Sequence, residues 1–423
     1  MISAKEKGGL YLNTIKLGLI PSPSHPADLT SKIVDDLPDM LADQVDDHFT
    51  WKPEILVDPL VGSAEHMNRL MDKVINIKKK NNWDYVICLT DLPQFMEKHI
   101  IMADINRDQK VALVSIPSFG LFPIKTRIKR TIKQVTKEMY LDSEEETDSK
   151  TKHTRKSFRK HKKQTQASIR WPVQRVFINK DASLEKKQED ADSKDIHKEA
   201  DHTNQEEETQ ENTEKQSDVR HIIQSKAIGQ LRILAGMVYS NQPWKGFFSF
   251  KKVLMFAFGT GVYITIFPTP WELSTIYSIS RFITLMAAAI IAMVAWMIFA
   301  HNLWEKPTKK GDKRLRKLYN ITTVSTLGII VLFNYILLFC IFLATLYLFV
   351  PQDLFQFSTD IGKDPAFKYY VQLTWLIASL GTLAGSIGAT SEDETTIREI
   401  TYSYRQINRY YEIQDDSETE KSS

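Results

Sequence analysis

Apolar residues are spread unevenly along this chain. Four long runs lack Asp, Glu, Lys, Arg and His altogether, at 253–267, 282–300, 321–350 and 369–389, and all fall in the C-terminal part. A charged side chain near mid-bilayer costs several kcal/mol, so such runs predict membrane spans. Nothing before Val253 has this pattern. Before it, apolar positions alternate between strand spacing and helix spacing, which predicts a soluble front joined to a membrane-embedded back.

The front, residues 1–142, reads as a cytosolic α/β domain. Short apolar strands are expected at 16–20, 54–57 and 85–89, each followed by a turn. Helical spacing follows the first two strands, with Leu29, Ile33, Leu37 and Leu41 on one face and Met67, Leu70, Met71, Val74 and Ile77 on another. Pro38 should divide the first of these helices. The segments 100–103 and 111–116 flank NRDQ and predict a hairpin, with a basic helix over 124–140 after it. Strands alternating with helices favour a mainly parallel sheet, to which the hairpin adds an antiparallel pair.

Residues 143–219 change character. Glu, Asp, Lys, Gln, Ser and Thr dominate, and so little apolar surface cannot offset chain entropy, which predicts a disordered charged linker. It holds a basic block at 153–163, an acidic stretch at 185–214, and one apolar island, IRWPVQRVFI, able to form a strand or to dock onto a partner. Helical spacing returns over 220–246, where Ile223, Ile228, Leu231, Leu234 and Val238 share a face ahead of Trp244, Lys245 and Phe247. This predicts an amphipathic helix, either at the membrane interface or packed on the soluble domain.

The membrane domain, 247–390, is then expected to be a four-helix bundle with spans at about 248–267, 282–300, 325–350 and 369–389. The loop between the second and third spans carries Lys306, Lys309, Lys310, Lys313, Arg314, Arg316 and Lys317, whereas the other loops are poor in basic residues. The positive-inside rule puts this loop in the cytoplasm. Both termini follow it there, with 391–423 as a cytosolic helix and tail, in a multi-pass protein of the cell membrane. Asn334 is a candidate for hydrogen bonding between helices. Gly381 and Gly385 are candidates for close helix approach, within the bundle or in a homodimer. The basic segments suit contact with anionic lipid.

Whole-chain totals conceal this division. Mean hydropathy is −0.28 and 25% of residues are charged, because the polar middle masks the apolar end. A net charge of +3 argues against nucleic acid as a partner. Two cysteines, Cys88 and Cys340, exclude a disulfide framework, and both read as packing residues. The N-terminus lacks the apolar core of a signal peptide, so the front is expected to stay in the cytoplasm. Spans without ionisable groups disfavour an ion-coupled transporter.

In parallel α/β sheets, ligands bind beyond the carboxyl ends of the strands. There the sequence offers His25, Asp58 and Asp91 as catalytic candidates and Ser22, Ser24 and Thr90 as ligand-binding candidates; Asp104, His66 and His99 are weaker. One His and two carboxylates could perform acid–base work or hold a metal, although Asp, Ser and Thr are also ordinary turn and cap residues. Their spacing matches no established metal motif. No phosphate-binding glycine loop, H-E-x-x-H, paired C-x-x-C or G-x-S-x-G is present, so neither a cofactor nor a reaction is named by motif.

The succession WDYVICLTDLPQF, IIMADINRDQKVALVSIP and a helix resembles the layout of the front half of an archaemetzincin-type domain. The helix here, KTRIKRTIKQVTKEMY, has no histidine, so the resemblance implies a related sheet without zinc-protease activity. Across nearly the whole chain, LGLIPSPSHPADL, WDYVICLTDLP, GQLRILAGMVYSNQPW, AHNLWEKP and TYSYRQ resemble an uncharacterised family of membrane proteins from Gram-positive bacteria. Some of its members carry a methylene-tetrahydrofolate dehydrogenase label, which no motif in this chain supports. Three readings follow. The leading one is a ligand- or protein-binding cytosolic domain with a regulatory, sensory or scaffolding role. The others are a membrane-anchored enzyme with its site at the strand ends, and a transporter of an uncharged or lipid-like substrate.

Overall fold

A computed structural model describes residues 14–62, 67–96, 99–147, 173–177, 219–223, 226–247, 250–306, 313–359, 367–389 and Ile397. The charge blocks at 153–163 and 185–214, His66, and the tail beyond Ala389 apart from Ile397 lie outside the described residues. The chain forms two compact units, one ending at Ser240 and one beginning at Asn241.

The first unit is an α/β domain. Its strands are β1 (Thr14–Pro21), β2 (Thr50–Ile55), β3 (Tyr85–Thr90), β4 (Gln94–Met96), β5 (His99–Asn106), β6 (Val111–Ser115), β7 (Val173–Phe177) and β8 (Val219–Ile223). Its helices are α1 (His25–Ser31), α2 (Leu37–Gln44), α3 (Met67–Lys80), α4 (Ile124–Thr147) and α5 (Lys226–Ser240). The sheet order is β2-β1-β3-β6-β5-β8-β7, with β4 paired to β5. Pro38 sits at the start of α2 and divides the first helical stretch, and Pro53 is carried by β2 at the end of the sheet, where a missing N–H is tolerated. The β5–β6 hairpin turns at Arg107–Lys110, as NRDQ predicts.

The mainly parallel sheet expected from sequence is in fact mixed. Three pairings are parallel (β1–β2, β1–β3, β3–β6) and four are antiparallel. The difference comes from three strands: β4, not expected from the sequence; β7, within the apolar island able to form a strand; and β8, expected to be linker and helix. VRHII forms β8, buried at all five positions between β5 and β7. Its two polar residues find partners: Arg220 Nε lies 3.2 Å from Asp104, and His221 Nε2 lies 3.2 Å from Glu138. Helix α5 therefore begins only at Lys226.

Two apolar layers flank the sheet. One contains Leu17, Leu19, Tyr85, Ile87 and Leu89 against Leu29 of α1, Leu37 and Leu41 of α2, and Ile128, Ile132, Val135 and Met139 of α4. The other contains Ile20, Val86, Cys88 and Leu113 with Val74 of α3 and Trp83. Gly18 is required here, because a Cβ on it would lie 2.0 Å from the Trp83 ring.

The second unit is helical: α6 (Lys251–Ile264), α7 (Pro268–Ile276), α8 (Ile279–Ala300), α9 (Lys313–Phe349), α10 (Gln352–Thr359) and α11 (Phe367–Ala389). Helices α8, α9 and α11 are long and apolar enough to cross a bilayer, as expected of a multi-pass membrane protein. A fourth crossing is reached only if Ile228–Gly246 and Lys251–Ile264 are taken as one interrupted span. With 37 residues, α9 is about 55 Å long, well beyond the hydrocarbon core, and its first turn is the basic KRLRK. Helix α11 is the central one: 56% of its most apolar stretch is buried, against 28% and 33% for α8 and α9.

Candidate functional site

Hydrogen bonds tie the carboxyl ends of β1, β2 and β3 together. Ser22 N–H donates to Leu89 O (2.9 Å), Leu56 N–H to Leu19 O (3.0 Å) and Asp58 N–H to Pro21 O (3.2 Å). Side chains continue the pattern. Ser22 Oγ donates to Asp91 Oδ1 (2.9 Å), Leu92 N–H to Thr90 Oγ1 (3.1 Å), and Ser115 Oγ to Leu92 O (2.7 Å). Ser22, Thr90, Asp91 and Ser115 are all buried. These polar side chains brace neighbouring loops against one another.

The catalytic candidates are distributed over this edge. Asp58 Oδ2 lies 3.3 Å from Lys73 Nζ of α3, and its charge also helps raise the pKa of the Cys88 thiol, after the larger effect of burial. Cys88 is therefore held as an inert thiol. His25 is buried at the start of α1 and meets Tyr239 of α5 edge-on at 5.2 Å between ring centroids. Among the described residues, the only three metal-competent side chains within mutual ligating reach are Asp46, Asp47 and the exposed His48. His25, Asp58 and Asp91 do not form such a trio. Of the weaker candidates, Asp104 pairs with Arg220, and His99 begins β5 opposite Met96.

Ser24 differs from its neighbours. It is exposed, and its backbone lies at φ 67°, ψ −123°, between the end of β1 and the first residue of α1. A non-glycine residue held there stores about 1–3 kcal/mol of strain. Pro23 and Pro26 flank it with fixed φ, so the reversal from strand to helix is concentrated on Ser24.

Comparison of the chain with models of protein families, with curated proteins and with solved structures returns no match.

Beyond the predicted residues, α5 lies across the loop that follows β6. Gly236 permits the approach, since a Cβ there would sit 2.2 Å from Pro117 O. Gly120, at φ +69°, faces the stem of Arg232, with a Cβ position 2.8 Å from Arg232 Cγ. Tyr239 meets both His25 and Phe122, the latter edge-on at 5.3 Å. Gly229, seven residues before Gly236, instead lets α5 approach the sheet, where a Cβ would sit 2.7 Å from Ile100 Cδ1. The lip beside it is apolar and open, with Leu121 48% and Phe122 72% exposed, and Leu56 and Val57 after β2 are exposed as well.

A second polar cluster lies under the sheet. Glu138 of α4 accepts from Gln134 (2.9 Å), lies 3.2 Å from His221 Nε2, and has Arg175 Nη2 at 3.4 Å. Burial pushes the Glu138 carboxyl up. The His221 hydrogen bond and charge, the Arg175 charge and the Gln134 hydrogen bond outweigh that and hold it below its ordinary value.

In the helical unit, Asn334 Nδ2 donates to Ile330 O of its own helix (3.2 Å) rather than across an interface. A bond between helices is made by Tyr335 of α9 and Ser379 of α11 (2.9 Å). Gly381 and Gly385 face α6, with Cβ positions 2.7 Å from Ala257 O and 2.9 Å from Ala257 Cβ. A cavity beside Asn334, Tyr335 and Thr382 has about 20 Å³, room for roughly one water.

Proposed function

We propose that this is a four-span protein of the cell membrane, with both termini cytoplasmic, whose α/β domain binds a ligand or a protein in a regulatory, sensory or scaffolding role. One observation carries the reading. The polar groups at the strand ends are engaged with one another, as Ser22 is with Asp91, while apolar and aromatic side chains stand exposed on two of the strand-end loops, Leu56 and Val57 after β2 and Leu121 and Phe122 after β6. Such a surface suits recognition, in which apolar area supplies affinity and a few placed polar groups supply orientation.

Hydrogen exchange on the full-length protein in lipid nanodiscs tests this reading, with a cytosolic small-molecule extract and a cytosolic protein fraction as separate probes. Protection at 22–25, 56–58 and 117–123 is expected from one of them. Protection confined to other segments, or none from either, sinks the reading.

A membrane-anchored enzyme is the second reading, and Ser24 is the observation that favours it. A serine exposed on a strained strand-to-helix turn is how some hydrolases present a nucleophile. A fluorophosphonate probe that labels the wild type and spares Ser24→Ala would establish it; equal labelling of both removes it.

A further inference from the structure

Helix α5 is apolar on both of its sides. Gly229 and Gly236 bring one side onto β5 and the loop after β6, since a Cβ would lie 2.7 Å from Ile100 Cδ1 at the first and 2.2 Å from Pro117 O at the second. Ile233, between them, is buried. The opposite side carries Ile228, Leu231, Leu234, Ala235 and Val238 at helical spacing, with the polar Gln230 and Arg232 only at its margins. Val238 is buried, but Leu231 is 69% exposed and Ile228 50%. A helix that is apolar all round is covered on every side, by protein or by lipid. Ile228 and Leu231 remain open among the described residues.

The charge around α5 fits one kind of cover. From Gln224 to Trp271 the chain has no Asp or Glu, and its basic residues are Lys226, Arg232, Lys245, Lys251 and Lys252. Residues 109–137, which include the loop beneath α5, have no acidic residue either. Exposed apolar side chains in an acid-free, basic setting match the surface of an anionic bilayer. Reach agrees with charge. Ser240 ends α5 and Lys251 begins α6, so the connection spans at most about 40 Å even when fully extended. We propose that the outer side of α5 lies on the anionic lipid surface of the membrane, with Ile228 and Leu231 entering the boundary between headgroups and acyl chains. The inner side meanwhile grips the loop after β6, so the bilayer holds that strand-end loop through α5. This rests on the crossing by α6 in the reading above and needs no ligand at the strand ends.

The test uses the full-length protein in nanodiscs, with Cys88→Ala, Cys340→Ala and one added cysteine carrying an NBD fluorophore. The discs contain phosphatidylcholine, alone or with phosphatidylglycerol. Nitroxide-labelled acyl chains are the lipid quencher and iodide is the aqueous one. Leu231→Cys and Ile228→Cys, both at exposed positions, report on α5. Lys80→Cys, exposed at the end of α3, is the aqueous reference, and Met255→Cys, 72% exposed on α6, is the membrane reference. Quenching of the Leu231 label by nitroxide chains, increasing with phosphatidylglycerol and accompanied by loss of iodide quenching, supports the assignment. Iodide quenching as full as at Lys80 overturns it. Protection from both quenchers also overturns it, because protein then covers this side. Lipid quenching unchanged by phosphatidylglycerol overturns the anionic preference. A Met255 label that lipid does not quench removes the α6 crossing and the lipid assignment together; lipid quenching at Met255 without any at Leu231 removes the lipid assignment alone. Leu231→Glu reads the hold on the loop. Hydrogen exchange at 117–120 should quicken in this variant, and exchange equal to wild type overturns that hold.

Discussion

Ser22 Oγ donates a 2.9 Å hydrogen bond to Asp91 Oδ1, joining the turn after β1 to the turn after β3. Both residues are buried, Asp91 at 1% exposure and Ser22 at 0%. A buried carboxylate that loses a donor bears its desolvation cost with less compensation. Ser22→Ala is therefore expected to destabilise the α/β domain by about 1–3 kcal/mol, and Asp91→Asn, which keeps an acceptor, by less than Asp91→Ala. Hydrogen exchange of β1 and β3 in the full-length protein reports this directly. If Ser22→Ala leaves exchange in both strands unchanged, the bond is not a brace.

The parts of this edge that could be read from sequence are those made by short-range signals. The apolar run ending at Pro21 and the run YVICL became β1 and β3 because continuous apolar stretches suit strands covered on both faces. VRHII was not readable in the same way. Arg220 and His221 interrupt its apolar pattern, and only Asp104 and Glu138, both more than eighty residues away in sequence, make their burial tolerable. The site shows the same division. Strand-end polar residues could be named from sequence, but whether they face a ligand or one another depends on pairings such as Ser22–Asp91 and Asp58–Lys73, which spacing does not encode. The approach of Arg232 to Gly120 depends on where α5 comes to rest, and α5 enters the sheet's surroundings only through β8.

Glu138 makes stability depend on pH in a definite direction. Its folded-state carboxyl titrates below the ordinary 4.5, so its contribution is present above that value and is lost as pH falls through the lower folded value. The wild type should lose stability in acid more steeply than Glu138→Gln, which cannot titrate at this position. At neutral pH the variant should be the less stable, by about 1–3 kcal/mol, because His221 and Arg175 keep their places without the carboxylate charge. Thermal midpoints from pH 7 to pH 3 check both signs. Parallel curves for the two proteins would show that Glu138 is not the titrating group.

The number of crossings fixes the side on which the α/β domain lies. With the basic loop 306–317 in the cytoplasm, crossings by α8, α9 and α11 alone would leave everything before α8 outside. A further crossing through α6 returns it to the cytoplasm. Lys80→Cys, exposed at the end of α3 in the α/β domain, decides between these in a background of Cys88→Ala and Cys340→Ala. An impermeant maleimide is expected to label Gln352→Cys in intact cells, and Lys80→Cys and Lys306→Cys only after permeabilisation. Labelling of Lys80→Cys in intact cells would place the α/β domain outside and remove the four-span reading.

Helix α11 is held by close approach along one face and by one hydroxyl pair across another. A Cβ on Gly381 would meet Ala257 O at 2.7 Å, a backbone atom that cannot rotate away. One on Gly385 would meet Ala257 Cβ at 2.9 Å and Val253 O at 3.2 Å. Gly381→Val should therefore force α6 off α11 and cost more than Tyr335→Phe, which only deletes the bond to Ser379 Oγ. Hydrogen bonds between membrane helices average about 0.6 kcal/mol, whereas overpacking a well-filled contact costs about 1–3 kcal/mol. Gly328, on α9, provides the control, since nothing lies within 4 Å of its Cβ position. Gly328→Ala should be neutral or slightly stabilising, because alanine is the better helix former. Thermal midpoints of purified protein in detergent should rank Gly328→Ala first, Tyr335→Phe next and Gly381→Val last. If Gly381→Val matches Gly328→Ala, α6 does not pack on α11 through this face.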